Sequence, residues 1–365
     1  MKQAVIIGAG QTGRGFIAPF LQDAGVHITF LDKNPELIQQ LQEEQRYVVH
    51  TFGHKKPDVM IQNYEAYDIT APQAMEALLQ AEAVFTSVFA GNIKDLVEVL
   101  SKAAVMRKDQ MQVICCENGI HVKKPLEDAK VPAILSEGII FCTSLQPEKT
   151  QLDIISEDYP ELPIDGSVEN LTLHIPGLPL VQDFPSLIQR KIYTYNFMSA
   201  VCAYLGSYGN YEVYGEAAND PVIAQVMEGV KQPLSHCIAL EYGVSDEEQM
   251  QFTQRAIDKF QNKEIYDTIY RNARQAKRKL QKQERLQEPL RMLLKYKEDA
   301  SMVLLVMAAA LYYGVSKEGM EDTTYITQIR NVYGEACAVT LERLYQIFCE
   351  KKSLADIYPE AVKQS

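Results

Sequence analysis

The chain has 365 residues, which is enough for two domains with large buried cores. Its 36 basic and 48 acidic residues give a net charge of −12, which argues against a nucleic-acid surface or an anionic-membrane surface. Seven cysteines without a C-x-x-C pair, in a chain with no signal-peptide pattern, fit a cytoplasmic protein with reduced thiols.

A glycine-rich turn lies inside the first β-α-β pattern. Gly8, Gly10 and Gly13 have the spacing G-x-G-x-x-G between an apolar run and a helical pattern. The first glycine permits a tight turn, the second lets the backbone approach a pyrophosphate, and the third allows close packing of helix on strand. We therefore expect a dinucleotide at the helix N-terminus, on the turn that contains Gln11 and Thr12.

An acidic residue ends the second apolar run of this unit. At that place the carboxylate of Asp32 can accept hydrogen bonds from the adenosine ribose hydroxyls and repel a 2′-phosphate. The sequence therefore predicts NAD rather than NADP, although the neighbouring Lys33 weakens the preference.

Further apolar runs predict a doubly wound sheet. Strand-like stretches cover 47–51, 58–61, 81–88, 112–116 and 139–143, helical spacing covers 34–45 and 92–103, and extended runs at 151–156 and 168–175 suggest an added antiparallel portion. Ligands bind outside the carboxyl ends of such strands. Phe89 follows one run, and Glu117 and Asn118 follow another, so we expect all three to face the cofactor.

The composition changes near Pro185, after which almost all patterns are helical. We predict an α/β protein with a Rossmann-type doubly wound sheet domain over 1–183 and an all-helical substrate domain over 184–365. The active site is expected in the cleft between the two. The apolar run 302–313 is too short to span a bilayer and predicts a buried helix, with loops expected near 208–215, 242–245 and 314–317.

The first helical pattern of the second domain carries polar residues on one side. At about 100° per residue, Lys191, Asn196 and Ser199 fall within an arc of about 140°, so all three can line one cleft. Neighbours such as Ile192 and Tyr193 would desolvate the lysine in part, which favours the neutral amine that a general base requires. The alternative is a surface lysine whose stem lies along apolar groups.

A basic cluster follows later in this acidic chain. Arg271, Arg274 and Arg278 recur at i, i+3 and i+7, so on one continuous helix they would share a face suited to a phosphate or a sugar chain. The alternative is a solvated face paired with the nearby acidic residues.

Other catalytic classes receive little support. His50 and His54 have H-x-x-x-H spacing, but no glutamate or cysteine flanks them, so we expect a loop pair and no metal. The absence of a G-x-S-x-G motif and of a P-loop argues against a hydrolase and a kinase.

These motifs together resemble the polyol-specific long-chain dehydrogenases, and within them the mannitol-1-phosphate 5-dehydrogenases. The resemblance runs along nearly the whole chain, through 8–17, 116–118, 175–178, 190–196, 203–206, 274–280 and 285–290. It implies a zinc-free, NAD-linked interconversion of mannitol 1-phosphate and fructose 6-phosphate. The expected partner is a small sugar phosphate or polyol, and the expected assembly is a monomer or small homo-oligomer.

The resemblance also implies roles for single residues. Lys191 matches the family's general base, Asn196 matches an asparagine that holds the developing alkoxide, and Asn118 resembles a second such amide. Arg274 and Arg278 match positions that would anchor the substrate.

The chain departs from the family in two places. Ser199 stands where the family has histidine, and the stretch 141–149 lacks the family's Asp-Arg pair. A serine hydroxyl is shorter than an imidazole and carries no positive charge. Two alternatives therefore stay open: the same chemistry on another polyol, sugar phosphate or sugar acid, and a dinucleotide-binding protein with impaired turnover.

Overall fold

The computed structural model describes residues 2–52, 57–147, 152–265 and 267–362. The chain divides into two compact units, Met1–Pro185 and Ser186–Ser365. The first unit combines helices with a parallel sheet and the second is helical, so the predicted fold class is confirmed.

The strands of the first unit are short and mostly apolar. In chain order they are β1 (Gln3–Ile7), β2 (His27–Asp32), β3 (Arg46–Phe52), β4 (Val59–Gln62), β5 (Glu65–Asp68), β6 (Ala83–Thr86), β7 (Gln112–Cys115), β8 (Ile134–Glu137), β9 (Ser144–Leu145), β10 (Ile154–Glu157), β11 (Ile164–Asp165) and β12 (Leu180–Val181). The helices are α1 (Ala18–Asp23), α2 (Pro35–Glu44), α3 (Pro72–Gln80), α4 (Val97–Met106) and α5 (Lys124–Asp128), with a π turn at Gly13–Ile17 and a 3₁₀ helix at Ala90–Leu96.

Six parallel strands form the main sheet, in the order β5-β2-β1-β6-β7-β8. Successive strands run outward from β1 in one direction and from β6 in the other, so the strand order reverses between these two. In an open α/β sheet such a switch point, at the carboxyl ends of the strands, is where ligands bind.

Both faces of this sheet are covered, because alternate residues of each strand point to opposite sides. Ala4 and Ile6 belong to one buried apolar cluster, and Val5 and Ile7 belong to the other. Apolar residues therefore occupy successive positions along β1, as expected for a strand buried on both faces.

The helix α2 shows how local sequence sets an element boundary. The Asn34 side chain accepts hydrogen bonds from the N–H groups of Glu36 and Leu37, at 3.1 and 3.3 Å, and Pro35 is the first helical residue. A capping asparagine and a proline at the first helical position each suit the start of a helix, so local sequence accounts for this boundary.

A second sheet has the order β4-β3-β10-β9. Within it, β3 pairs antiparallel with β4 and parallel with β10. The strand predicted at 151–156 is present over Ile154–Glu157, while Gln151 lies outside the described residues. The expected antiparallel arrangement holds only in part, because β10 pairs antiparallel with β9 but parallel with β3.

Two strand predictions in this region were wrong. Residues 139–143 are not a strand, and the last parallel strand is β8 instead. Residues 168–175 also form no strand. In both stretches the backbone is irregular, but apolar side chains such as Ile140 and Leu173 are buried in the core. β8 lacked an apolar signal because it includes Ser136 and Glu137.

The second unit is a set of packed helices. They are α6 (Phe184–Lys191), which begins just before the unit boundary, a π turn at Ile192–Asn196, α7 (Phe197–Tyr208), α8 (Tyr214–Ala218), α9 (Pro221–Tyr242), α10 (Asp246–Gln261), α11 (Ile269–Ala273), α12 (Ala276–Lys279), α13 (Gln287–Tyr296), α14 (Ser301–Glu318), α15 (Asp322–Tyr333), α16 (Glu335–Cys349) and α17 (Leu354–Val362). The predicted loop at 314–317 was wrong, since α14 continues through it.

The helix α14 forms the apolar centre of this unit. Its residues 302–311 are all buried, as the sequence predicted for this run. Across the described part of the chain, none of the helices combines the length and apolar character needed to cross a membrane.

Candidate active site

The glycine-rich loop connects β1 to the first helical turn. Gly8 has a φ of +99°, and a Cβ there would lie 2.3 Å from the backbone oxygen of Ser87. A Cβ on Gly13 would lie 2.2 Å from the backbone oxygen of Gly8. Neither position can therefore accept a side chain. Gly8 allows the tight turn and the close approach of the backbone that follows β6, and Gly13 allows the first helical turn to pack closely.

Gly10 has a different environment. A Cβ added there would meet no heavy atom within 4 Å, so the loop leaves open space at this residue. Gln11 and Thr12 begin the following helical turn, whose first N–H groups have no acceptor within the helix. Open space in front of such N–H groups fits the pyrophosphate of a dinucleotide.

Asp32 is half-buried at the end of β2. One carboxylate oxygen accepts the N–H of Ala9 at 2.7 Å, and the other accepts the N–H of Asn34 at 2.9 Å. The carboxylate therefore connects the glycine loop to the end of β2, where the ribose hydroxyls of adenosine would be recognised.

Arg14 is a buried cation that the sequence analysis did not single out. The side chain is 1% exposed. Its Nε donates to the backbone oxygen of Ala9 at 2.7 Å, its Nη1 donates to the backbone oxygen of Leu152, and its guanidinium lies 5.7 Å from the ring centroid of Tyr47. Burial lowers the pKa of Arg14. Arg14 thus ties the glycine loop to the segment that precedes β10.

Glu117 follows β7 and is almost completely buried, with 5% exposure. Its carboxylate accepts from the hydroxyl of Thr86 and from the N–H of Val88, both at 3.0 Å. Burial raises the pKa of Glu117 to about 7. The carboxylate thus holds the loop after β6, which ends in the exposed Phe89.

The first unit gathers its predicted site residues at the carboxyl edge of the main sheet. The loop after β6 lies beside β1, because the N–H of Ser87 donates to the backbone oxygen of Ile7 at 2.8 Å. Asn118 is exposed directly after Glu117. The residues that share this edge are Gly8, Gly10, Gln11, Thr12, Gly13, Asp32, Phe89, Glu117 and Asn118.

In the second unit, Lys191 ends α6 and a π turn separates it from α7. Between Lys191 and Gly206 every residue is buried except Lys191, Asn196 and Ser199, which are half-buried. The three residues that the sequence analysis selected are thus the ones through which this helical segment reaches solvent. π turns inside helices occur frequently at functional sites.

Arg190 supports this helix from its buried side. The side chain is 7% exposed, its Nε donates to Gln249 at 2.9 Å, and its guanidinium pairs with Glu248 at 2.7 Å. Gln249 also donates to the hydroxyl of Thr194 inside the π turn, at 2.9 Å. These contacts fix the π turn against α10 and give Arg190 a structural role.

The predicted common helix face of the three arginines was wrong, because the helix is broken between them. α11 ends at Ala273, and Gln275 has a φ of +64° before α12 begins at Ala276. The carboxylate of Glu318 accepts from the N–H groups of Gln275 and Ala276, at 2.6 and 2.8 Å. This distant acid starts a new helix where the spacing had suggested a continuous one.

The arginines also differ in their partners. Arg271 forms two hydrogen bonds with Asp267, and Arg278 pairs with Glu284 at 2.5 Å. Arg274 is exposed, with its guanidinium 5.7 Å from the ring centroid of Tyr270. Within the described residues no carboxylate lies at ion-pairing distance from Arg274, so it is the more available of the two predicted anchors.

Lys279 is a second buried cation that the sequence analysis did not single out. It is 7% exposed, its Nζ donates to the backbone oxygen of Asn272, and it lies 5.8 Å from the ring centroid of Tyr204. Burial, aided by the neighbouring Arg285 and Arg278, lowers the pKa of Lys279 to about 7. In sequence it is one cation in a basic run, and only its tertiary burial distinguishes it.

Metal ligands were also sought in the described residues. No group of three His, Cys, Asp or Glu side chains there is arranged to hold a metal ion. His50 instead contacts Asp58, with Nδ1 2.7 Å from a carboxylate oxygen. His54 lies outside the described residues.

Two models of one protein family match the chain. The mannitol dehydrogenase Rossmann domain matches residues 2–172, and the mannitol dehydrogenase C-terminal domain matches 183–326. Together the two matches cover most of the sequence.

Solved structures show the same fold at low sequence identity. A substrate-free D-sorbitol dehydrogenase is 15% identical with a TM-score of 0.77, and the match covers 97% of this chain and 94% of that one. The Pseudomonas fluorescens mannitol 2-dehydrogenase, solved with NAD and D-mannitol, is 14% identical with a TM-score of 0.72, covering 100% and 95%. A D-mandelate dehydrogenase with NADH is 12% identical with a TM-score of 0.51, covering 87% and 100%. The chain belongs to the mannitol dehydrogenase family of polyol dehydrogenases, and is therefore an oxidoreductase.

Proposed function

We propose that this chain is an NAD-dependent oxidoreductase that interconverts mannitol 1-phosphate and fructose 6-phosphate. The observation that carries the proposal is the exposure pattern of the helix after residue 190, in which only Lys191, Asn196 and Ser199 reach solvent up to Gly206. An amine and an amide at these positions supply the two functions that oxidation of a secondary alcohol requires, a base and a hydrogen-bond donor to the developing oxyanion.

In the oxidising direction, Lys191 acts as a neutral amine and removes the proton of the substrate hydroxyl. The side-chain amide of Asn196 donates a hydrogen bond to the oxygen as negative charge develops on it, and the resemblance implies the same role for the amide of Asn118. NAD supplies the hydride acceptor when it is bound. In the reducing direction, Lys191 starts as an ammonium group and returns the proton to the carbonyl oxygen.

The charge distribution of the second unit supports a substrate anion near Arg274, whose guanidinium has no carboxylate partner among the described residues. A guanidinium that is free of a competing carboxylate can bind a phosphate through paired hydrogen bonds. The same distribution also motivates a second candidate, an unphosphorylated polyol, because Arg271 and Arg278 are already paired with acids.

We expect NADH oxidation with fructose 6-phosphate to have a kcat/KM at least tenfold higher than with fructose. Arg274→Gln should remove most of this difference by raising the KM for fructose 6-phosphate, since a hydrogen bond to a charged group contributes about 1.5–3 kcal/mol. Steady-state kinetics on both ketoses measure the effect, and the exposed Lys277→Gln serves as the control for a simple loss of positive charge.

Two other outcomes would redirect the assignment. Equal efficiency on the two ketoses would favour the unphosphorylated polyol. Tight NADH binding without turnover on any polyol or ketose would contradict the enzymatic proposal and support a dinucleotide-binding protein, consistent with the uncharged Ser199 at the family's histidine position.

We expect Asp32→Ala to weaken NADH binding about tenfold and to reduce discrimination against NADPH. The variant loses a carboxylate that would bind the ribose hydroxyls and repel a 2′-phosphate, and charge-assisted hydrogen bonds of this kind contribute about 1.5–3 kcal/mol. Fluorescence titration with both nucleotides measures the ratio, and Glu43→Ala, which removes an exposed negative charge from α2, is the control. An unchanged ratio of the two dissociation constants would contradict the assignment of Asp32.

A further inference from the structure

Phe89 combines an unusual backbone conformation with unusual exposure. Its φ is +67° and its ψ is +141°, close to a region that is occupied almost only by glycine. Its side chain is 84% exposed, the highest value among the large apolar side chains of the described residues. The backbone at Phe89 is therefore strained, and the ring gains almost no burial in the free protein.

Hydrogen bonds on both sides hold this conformation. Glu117 accepts from the hydroxyl of Thr86 and from the N–H of Val88, both at 3.0 Å. Asn92 donates its own N–H to the backbone oxygen of Phe89 at 2.9 Å and its side-chain amide to that of Val88 at 2.7 Å. Strain of this kind persists only where surrounding contacts determine the backbone, and it occurs most often at ligand-binding sites.

The strained residue lies beside the predicted dinucleotide loop. The N–H of Ser87 donates to the backbone oxygen of Ile7, and the backbone oxygen of Ser87 occupies the space that a Cβ on Gly8 would need. β6 lies on the side of β1 opposite to β2. Since the adenosine ribose is recognised at the end of β2 and the pyrophosphate after β1, the loop after β6 belongs to the nicotinamide half.

We propose that Glu117 is a positioning residue that keeps Phe89 in its strained conformation, so that the exposed ring packs against the nicotinamide half of the bound dinucleotide. Aromatic rings attract planar rings in offset or edge-to-face arrangements. The inference rests on the proposed NAD site, and it explains why an aromatic residue occupies a position where glycine would be less strained.

The decisive variant is Phe89→Gly, because it removes the ring and also relieves the backbone strain. We expect the melting temperature of the free protein to rise by about 2–4 °C, while the dissociation constant for NADH rises at least fivefold. ADP-ribose, which lacks the nicotinamide, should bind with unchanged affinity. The exposed Met106→Ala on α4 is the control and should change neither quantity.

Glu117→Gln tests the positioning role. The amide keeps the size of the side chain, but it presents an N–H₂ group to one of the two donors that the carboxylate now accepts from. We expect weaker NADH binding with unchanged ADP-ribose binding, and we expect the double variant with Phe89→Gly to bind NADH no more weakly than Phe89→Gly alone.

Three results would overturn the inference: NADH affinity unchanged in Phe89→Gly, equal weakening of NADH and ADP-ribose, or additive losses in the double variant. A wrong NAD assignment would give a different result, because the unaltered protein would then bind neither NADH nor ADP-ribose.

Discussion

Replacing Lys191 with methionine should lower turnover by about 10²–10⁴-fold, the range that general acid–base catalysis supplies. The variant lacks the amine that exchanges a proton with the substrate oxygen. Methionine keeps most of the length and apolar contact of the lysine stem, so the half-buried position should still pack. Steady-state kinetics in both directions measure the loss.

The binding step should survive this substitution, since the dinucleotide loop belongs to the other unit of the chain. We therefore expect the NADH dissociation constant of Lys191→Met to stay within about twofold of the unaltered value, a change of less than 0.5 kcal/mol. Lys317→Met, at an exposed position near the end of α14, should keep full turnover. Turnover of Lys191→Met within tenfold of the unaltered protein would rule out Lys191 as the base.

Gly8→Ala should destabilise the protein by about 2–5 kcal/mol, which combines the cost of a positive φ with that of overpacking. The φ of +99° does not suit an L side chain, and the new Cβ would overlap the backbone oxygen of Ser87 at 2.3 Å. The backbone at Gly8 and at Ser87 is held by hydrogen bonds from their N–H groups to the backbone oxygens of Leu31 and Ile7, so neither residue can move freely. Chemical denaturation of the free protein measures the loss.

Gly10→Ala provides the matched control within the same loop. Its φ is not in the left-handed region, and its Cβ would meet no heavy atom, so stability should stay within about 0.5 kcal/mol. The methyl group would occupy the open space proposed for the pyrophosphate, so NADH affinity should fall at least tenfold. Unchanged NADH affinity in Gly10→Ala would mean that this space is not the pyrophosphate site.

Much of the first unit could be predicted from sequence because its signals are local. The glycine turn and the Asn34-Pro35 helix start each depend on residues within a few positions of one another. Selection of Lys191, Asn196 and Ser199 also relied on helical spacing, and the exposure pattern separates these three from their buried neighbours. The π turn at Ile192–Asn196 changes the angle per residue within this segment. The three residues nevertheless remain the partly exposed ones, because the prediction required only that they share one broad side of the helix.

The wrong predictions share a different cause. β8 was missed because its pairing with β7 is a long-range contact and its own residues include a serine and a glutamate. Residues 139–143 look like a strand because their side chains are apolar, but apolar side chains in a core do not require an extended ladder. The common arginine face was wrong because the helix ends before Gln275. The carboxylate of Glu318, which is distant in sequence, accepts hydrogen bonds from the N–H groups at the start of the next helix.

The sequence by itself determined the family, the α/β-then-helical order and the position of the glycine loop, because these depend on spacing along the chain and on short-range backbone preferences. Only the tertiary structure decided which charged groups are buried. Lys279 is one cation in a basic run, and Glu117 follows an ordinary apolar strand, yet both are buried against residues distant in sequence. Burial and pKa arise from such contacts, which no local pattern encodes.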